Sequence, residues 1–486
     1  MKKLYILSSI LALSTSALAQ APVPVNLQPS AIITLPAGAT PNALAVSDFN
    51  QDNRRDVAVC QRGLGSVGVY LQSSSGTFPD PAVSTYAIGD NPTGLVATAL
   101  SQQQTRSSMD LVAISPVTGR FQLLTNNNDR SGTFTPVVNT GMQNTFFSNR
   151  GTNQHMFVAN IDGNLQPDFV YTYDPAPPVT TSAGVYWQQL QSPTSVESSP
   201  RTFHRPGFNT SSVALADFNR DSHMDMVLTN PNANQVKVVA AAFNGVSISW
   251  SIGQFTLDLP TGGIRPVSVA TSDVNRDFLP DLAVANEGSN NVTVLLNQGG
   301  TQFGTQALYS LSGSPRQVLL TDLNRDNEPE MLVLTADNRL QVFQHTGASG
   351  ITRYGTPLIL ATGDNPVTMQ IADVDGDFNS DIVVGCAGDN TVRVYLNRSI
   401  LSTRSKQLAG VSVFPNPATD QITIQSAGTL RGLITASLLD PLGREVYRTE
   451  TTAVSTAISV ADLPRGVYLL RLTAPEGIMS QRIVIQ

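Results

Sequence analysis

The chain has 486 residues, enough for two domains with a large distributed core. Only 13% of them are charged, against about a quarter in an average soluble protein. With 36 acidic and 29 basic side chains the formal charge is −7, which argues against a nucleic-acid partner.

In chain order, Met1-Lys2-Lys3, an apolar run over residues 4–13 and Ala17-Leu18-Ala19 come first. A basic start, a short apolar core and a small-x-small cleavage site predict a secretory signal peptide over residues 1–19. The apolar run is too short to span a bilayer, and no later stretch reaches the length of a membrane helix. No cysteine stands after the signal to carry a lipid. The protein is expected in the periplasm and beyond, with no membrane span and as a monomer.

One loop then recurs six times, with side-chain oxygens at its positions 1, 3, 5 and 9. The copies are Asp48, Asn50, Asp52, Asp56; Asn160, Asp162, Asn164, Asp168; Asp217, Asn219, Asp221, Asp225; Asp273, Asn275, Asp277, Asp281; Asp322, Asn324, Asp326, Glu330; and Asp373, Asp375, Asp377, Asp381. Residues two apart in a tight loop turn their oxygens inward, position 7 offers a carbonyl, and position 9 offers both carboxylate oxygens. An all-oxygen set of this kind suits Ca²⁺ better than Mg²⁺ and excludes soft metals. Asp and Asn are also ordinary turn formers, and one such loop alone would be read as a turn. Six copies between apolar strands, taking 18 of the chain's 36 acidic residues into their ligand positions, point to up to six Ca²⁺.

The first ligands fall at 48, 160, 217, 273, 322 and 373, so later steps are 57, 56, 49 and 51 residues and the first is 112. The double step hides a degenerate unit: residues 95–100 and 110–114 resemble the flanking strands, and residues 101–109 have lost the ligands. Each unit reads as about four short strands punctuated by Gly, Asn and Pro. Seven units with a period of 40 to 50 or so residues and about four strands each predict an all-β, seven-bladed propeller. Ala31-Ile-Ile-Thr-Leu35 has the character of the outer strand that the last unit lacks, and is expected to complete blade seven.

The loop with its flanking strands resembles the FG-GAP or VCBS repeat family, the calcium-binding propeller blades also seen in the integrin α-subunit head. The resemblance covers residues 30–398 and implies calcium at loop positions 1, 3, 5 and 9. Asn160 in place of Asp lowers the charge of the third unit's loop, while Glu330 keeps a carboxylate in the sixth's.

A polar linker spans residues 399–410, and the repeat ends there. Residues 411–486 alternate like a small β-sandwich. A Pro415-Asn416-Pro417 opening, a central Gly443-Arg-Glu-Val446 strand, a Gly466-Val-Tyr468 strand and a last basic-apolar strand resemble the type A sorting domain of the type IX secretion system. That resemblance implies a Bacteroidota host and handling by the type IX machinery. It also implies outer-membrane translocation and removal of the domain, leaving the protein free or on surface lipopolysaccharide. Pattern alone also fits an Ig-like binding module.

Cys60 and Cys386 fall at neighbouring positions of the first and last blades; a disulfide across the seam and two buried thiols are both open. No catalytic constellation is evident. His155, His204, His223 and His345 are scattered, and His223 at loop position 7 would offer its carbonyl instead of its ring. Gly63-Leu-Gly65-Ser-Val-Gly68 matches a dinucleotide fingerprint by letter but leads into a strand, so it reads as a hairpin turn. Trp187 and Trp250 are sugar-stacking platforms if exposed and blade packing otherwise. The expected function is a non-catalytic exported propeller binding a glycan or protein ligand. The alternatives are a polysaccharide lyase or hydrolase on the same scaffold, and a spacer in a surface layer.

Overall fold

The computed structural model describes residues 24–79, 81–89, 91–99, 109–115, 120–137, 156–159, 168–173, 184–192, 195–196, 201–204, 208, 210–243, 248–249, 256–299, 302–346, 354–399, 411–426, 434–440, 445–451, 455–461, 463–474 and 477–486. They fall into two compact units, one of residues 1–323 and 327–398, the other of residues 324–326 and 399–486.

In the first unit, antiparallel sheets follow one another along the chain, each a meander of neighbouring strands. Blade 5 shows the pattern: Pro266–Ser272, Asp281–Asn286, Asn291–Asn297 and Phe303–Ser310 pair in that order. The second strand of the blade is buried along its whole length, because both sheet faces are covered by neighbouring blades. Seven such sheets are described, the third carrying a fifth short strand. The seventh is built from Pro366–Ala372, Asp381–Cys386 and Thr391–Asn397, and its outer strand is Leu27–Thr34 from the chain's other end. Ile32 and Ile33 lie opposite Arg393 and Val392 there, so the N-terminal strand closes the ring as its sequence suggested.

Apolar side chains fill the gaps between blades. Val57 and Val59 of blade 1 meet Val383, Val392 and Val394 of blade 7, while Ala58 and Cys60 turn the other way, to Leu95 and Leu111 of blade 2. Cys386 faces Leu332 and Leu334 of blade 6. The two cysteines therefore point away from the shared seam, and both are buried free thiols. Period-two alternation sets this: the seam-facing residues are one position off the cysteines in each strand.

The inner strands are also tied by side chains. Val269 N–H donates to Ser212 Oγ (3.2 Å), Val318 N–H to Ser268 Oγ (3.2 Å), and Met369 N–H to Gln317 Oε1 (2.7 Å). Inside the ring lies a cavity of about 640 Å³. Residues 62–68 form the expected turn: Arg62–Leu64 is a single 3-10 turn closed by Gly65 at φ +62° before the strand Ser66–Tyr70. Trp187 and Trp250 have side chains outside the described residues.

The second unit is a sandwich of a three-stranded sheet (Val411–Phe414, Gln421–Ser426, Ser455–Ser459) and a four-stranded one (Glu445–Thr451, Ile434–Leu439, Gly466–Ala474, Gly477–Ile485). Ile422, Ile424, Ala436, Leu438, Ile458, Leu470, Leu472 and Ile483 share its core. The sequence blocks have local jobs. Asn416 brackets the last strand, donating to Arg482 O (2.7 Å) and accepting from Val484 N–H (2.9 Å), and Tyr468 O–H caps Pro464 O (2.7 Å). No helix among the described residues is long and apolar enough to cross a membrane.

Candidate metal centre

The carboxylate loops join the first and second strands of the blades, at the end opposite the start of the first strand. Positions 4 and 6 adopt left-handed backbone: Gln51 and Asn53, Arg220 and Ser222, Arg276 and Phe278, Arg325 and Asn327, Gly376 and Phe378 all lie between φ +57° and +77°. Alternating right- and left-handed residues curl the backbone so that positions 1, 3 and 5 share one side. In blade 5, Asp277 N–H donates to Asp273 Oδ1 and to Asn275 Oδ1 (3.1 Å each), and Phe278 N–H to Asp273 Oδ2 (2.8 Å). Blades 1 and 4 repeat this to within about 0.2 Å, with Asp48, Asn50 and Asp52 and with Asp217, Asn219 and Asp221. In blade 6, Asp326 N–H donates to Asn324 Oδ1 (3.1 Å) and Asn327 N–H to Asp322 Oδ2 (2.8 Å).

In blade 7 the three carboxylates Asp373, Asp375 and Asp377 bring one oxygen each within 4.8 Å of one another. Burial, followed by the neighbouring carboxylates, raises the Asp373 pKa above its usual 3.8. A cation already leans on the cluster: the Arg398 guanidinium binds Asp375 and, at 3.4 Å, Asp377. Arg54 does the same for Asp52 in blade 1. Like charges held this close call for a positive partner. His223, at position 7, holds its ring Nδ1 3.2 Å from Asp221 Oδ1.

Position 9 stands apart. Asp56, Asp225, Asp281, Glu330 and Asp381 are fully buried, and Asp381 is outside the converging group of blade 7. In four blades both carboxylate oxygens accept backbone amides. One comes from loop position 2: Phe49, Phe218, Val274 and Val374, at 2.7–2.9 Å. The other comes from 16 residues on, where Gln72, Ala241, Asn297 and Asn397 follow or end the third strand, again at 2.7–2.9 Å. Glu330 accepts from Leu323 N–H at 2.7 Å. Burial pushes Asp56 and Asp281 up to about 7, and Asp225 and Asp381 up to about 6, against the pull of those amides. The carboxylate at position 9 thus pins the loop to the third strand whether or not an ion is near.

Blade 2 supports that division. It lacks ligands at 1, 3 and 5, yet buried Asp110 stands at position 9 and accepts from Asn126 N–H (2.7 Å). The pin also reaches the next blade. Asn126, Asn297 and Asn397 donate through Nδ2 to the position-2 carbonyls of the preceding loops, Phe49 (2.8 Å), Phe218 (2.9 Å) and Leu323 (2.7 Å). Sequence reasoning missed these asparagines, because an Asn at a strand end reads as a turn residue. Asn160, Asp162 and Asn164 of the third loop lie outside the described residues; Asp168, their position 9, is buried.

Residues 273–333 and 322–384 match the model of the FG-GAP-like repeat, spanning the loops of blades 5, 6 and 7. Residues 412–486 match that of the secretion system C-terminal sorting domain. The chain carries FG-GAP-like repeats and a C-terminal sorting domain. The sorting domain directs export through the type IX secretion system to the cell surface or outside the cell. No curated protein matches the chain. Among solved structures it is similar to BBS1N, crystallised in complex with ARL6DN, at 10% identity over 76% of this chain and 96% of that one, with a TM-score of 0.49. It is similar to a functionally unknown protein from Desulfotomaculum acetoxidans DSM 771 at 14% identity, 69% and 90% coverage and 0.46. Chaetomium thermophilum Raptor matches at 13% identity and 0.46, over 77% of this chain and 29% of that one.

Proposed function

We propose that this protein is an exported, calcium-stabilised, non-catalytic propeller that binds a glycan or protein ligand at the cell surface or outside the cell. The observation that carries the calcium reading is the convergence of Asp373, Asp375 and Asp377, with the same curled backbone in the loops of blades 1, 4, 5 and 6. Positions 1, 3 and 5 of each loop would hold the ion, joined by the position-7 carbonyl. Position 9 supports them from behind through its backbone hydrogen bonds. Bound calcium supplies positive charge where carboxylates crowd, and so stiffens the face of the ring that carries the loops.

The cavity supports the binding reading. Its described lining holds Arg62, Arg265, Arg316 and Glu287 beside amides and hydroxyls, groups that can hold a polar ligand through hydrogen bonds.

Thermal unfolding of the full chain in calcium and in EDTA, with metal analysis, tests the reading. At a hundredfold excess over Kd each site contributes about 2.7 kcal/mol. Several sites together should raise Tm by about 10 °C or more, with the metal count approaching six. An unchanged Tm and no bound metal would reduce the loops to turns.

A further inference from the structure

The cavity at the centre of the ring opens where the first strands begin, one strand length (about 20 Å) from the carboxylate loops. Its charged lining comes from three blades: Arg62 of blade 1, Arg265 and Glu287 of blade 5, and Arg316 of blade 6. Three guanidinium groups and one carboxylate line it, leaving two net positive charges in a chain whose formal charge is −7. Glu287 orients two of the three. Its Oε2 lies 3.2 Å from Arg265 Nε and its Oε1 3.5 Å from Arg316 Nη1. Glu287 is itself fixed, since its N–H donates to Arg265 O (2.9 Å) and Ser314 O–H donates to its carbonyl (3.2 Å). Arg62, from the turn of blade 1, has no carboxylate partner among the described residues. The exposed amides of Asn232, Asn365 and Gln370 share the wall.

We propose that this mouth is the ligand site of the propeller and that it takes an acidic glycan, rather than a neutral glycan or a protein. The proposal rests on the binding function above and names its site and ligand class. Guanidinium forks match a carboxylate or a sulfate with paired hydrogen bonds. Amides both donate and accept, as vicinal hydroxyls require. A protein partner would need an aromatic or large apolar anchor pocket at the centre of the contact, and no aromatic side chain is among the described lining residues. The volume, about 640 Å³, suits an oligosaccharide of a few rings and falls within the usual range of small-molecule sites. Calcium lies too far away to touch this ligand and acts on it only by holding the ring rigid.

Isothermal titration of the full chain in calcium tests this with four probes: trigalacturonate, a sulfated disaccharide, maltotriose and tetraglutamate. One uronate or sulfated glycan should bind per chain, more weakly as salt rises, and the tighter of the two identifies the anion. Maltotriose should not bind. Arg265→Gln and Arg316→Gln should each weaken binding about tenfold. Glu287→Gln keeps an acceptor that positions the arginines and removes the competing negative charge, so it should tighten binding, and weaker binding by this variant counts against the proposal. The proposal is overturned if maltotriose binds as well, if tetraglutamate binds more tightly than both glycans, if the arginine variants bind unchanged, or if no anion binds. Melting in calcium and EDTA on the same samples separates the two readings. Calcium stabilisation without anion binding removes this site and leaves the calcium scaffold standing.

Discussion

Asp281→Ala in metal-free protein separates pinning from ion binding. The change removes the acceptor of two interior amides, Val274 N–H (2.9 Å) and Asn297 N–H (2.8 Å). Each orphaned donor costs about 1–3 kcal/mol, so the loss is about 2–6 kcal/mol while the carboxyl is protonated. Ionisation works against the native carboxyl, because burial raises its pKa from 3.8 to about 7. A group raised in the folded state contributes fully below its unfolded value, and the contribution is lost as pH rises through the folded one. By pH 7 that loss amounts to about 4 kcal/mol, so the substitution should hurt at pH 5 and nearly vanish at pH 7.5 in EDTA. For a ring of this size, 3 kcal/mol corresponds to about 4 °C in Tm. Calorimetry at both pH values, beside Asp273→Ala, provides the comparison. Asp273 accepts only loop amides near solvent, so its removal should be nearly silent in EDTA and should lower the calcium-dependent rise. If Asp281→Ala is silent in EDTA at pH 5 yet abolishes calcium stabilisation, position 9 is a ligand only and the pinning argument fails.

The other expectations concern the ring as a whole. Wild-type protein in EDTA should lose stability as pH rises from about 4 to about 7, following Asp56, Asp225, Asp281 and Asp381 together, and calcium should flatten that slope; a slope of the opposite sign would refute the burial argument. Asn397→Leu removes the tie to Leu323 O and should cost about 1–3 kcal/mol in denaturant unfolding, with calcium content unchanged. Deleting residues 24–34 strips blade 7 of its outer strand and exposes a sheet edge; broadened melting and self-association by light scattering are expected. Cys60 and Cys386 should resist a thiol reagent until the protein is denatured, and reductant should leave Tm unchanged.

The blades were legible because apolar strands and oxygen-bearing loops repeat at a period that only a stacked β unit explains. The closing strand was legible because the last unit lacks a fourth strand before the linker. The hydrogen bonds from position 9 to the third strand were not, since an Asp at position 9 looks like an Asp at position 1 until the fold shows its burial. Asn126, Asn297 and Asn397 were hidden for a related reason: each bonds a carbonyl 74 to 79 residues away, a distance no local pattern carries. Arg62, Arg265 and Arg316 sit in turns or at strand starts of three blades, and only ring closure brings them to one cavity. Parity along the strand also explains the cysteines, since neighbouring positions in two strands need not look across the same gap.

The strand Leu27–Thr34 pairs with residues 391–397, more than 350 positions later. Most blades form from neighbours in sequence, a local and quick search. The ring as a whole waits on a single contact of very large sequence separation, whose loop-closure entropy must be met before any reward arrives. The earliest part of the propeller to be synthesised is therefore the last to find its partner. Until the seventh repeat has emerged, the chain remains an open array that can still be drawn out as a thread.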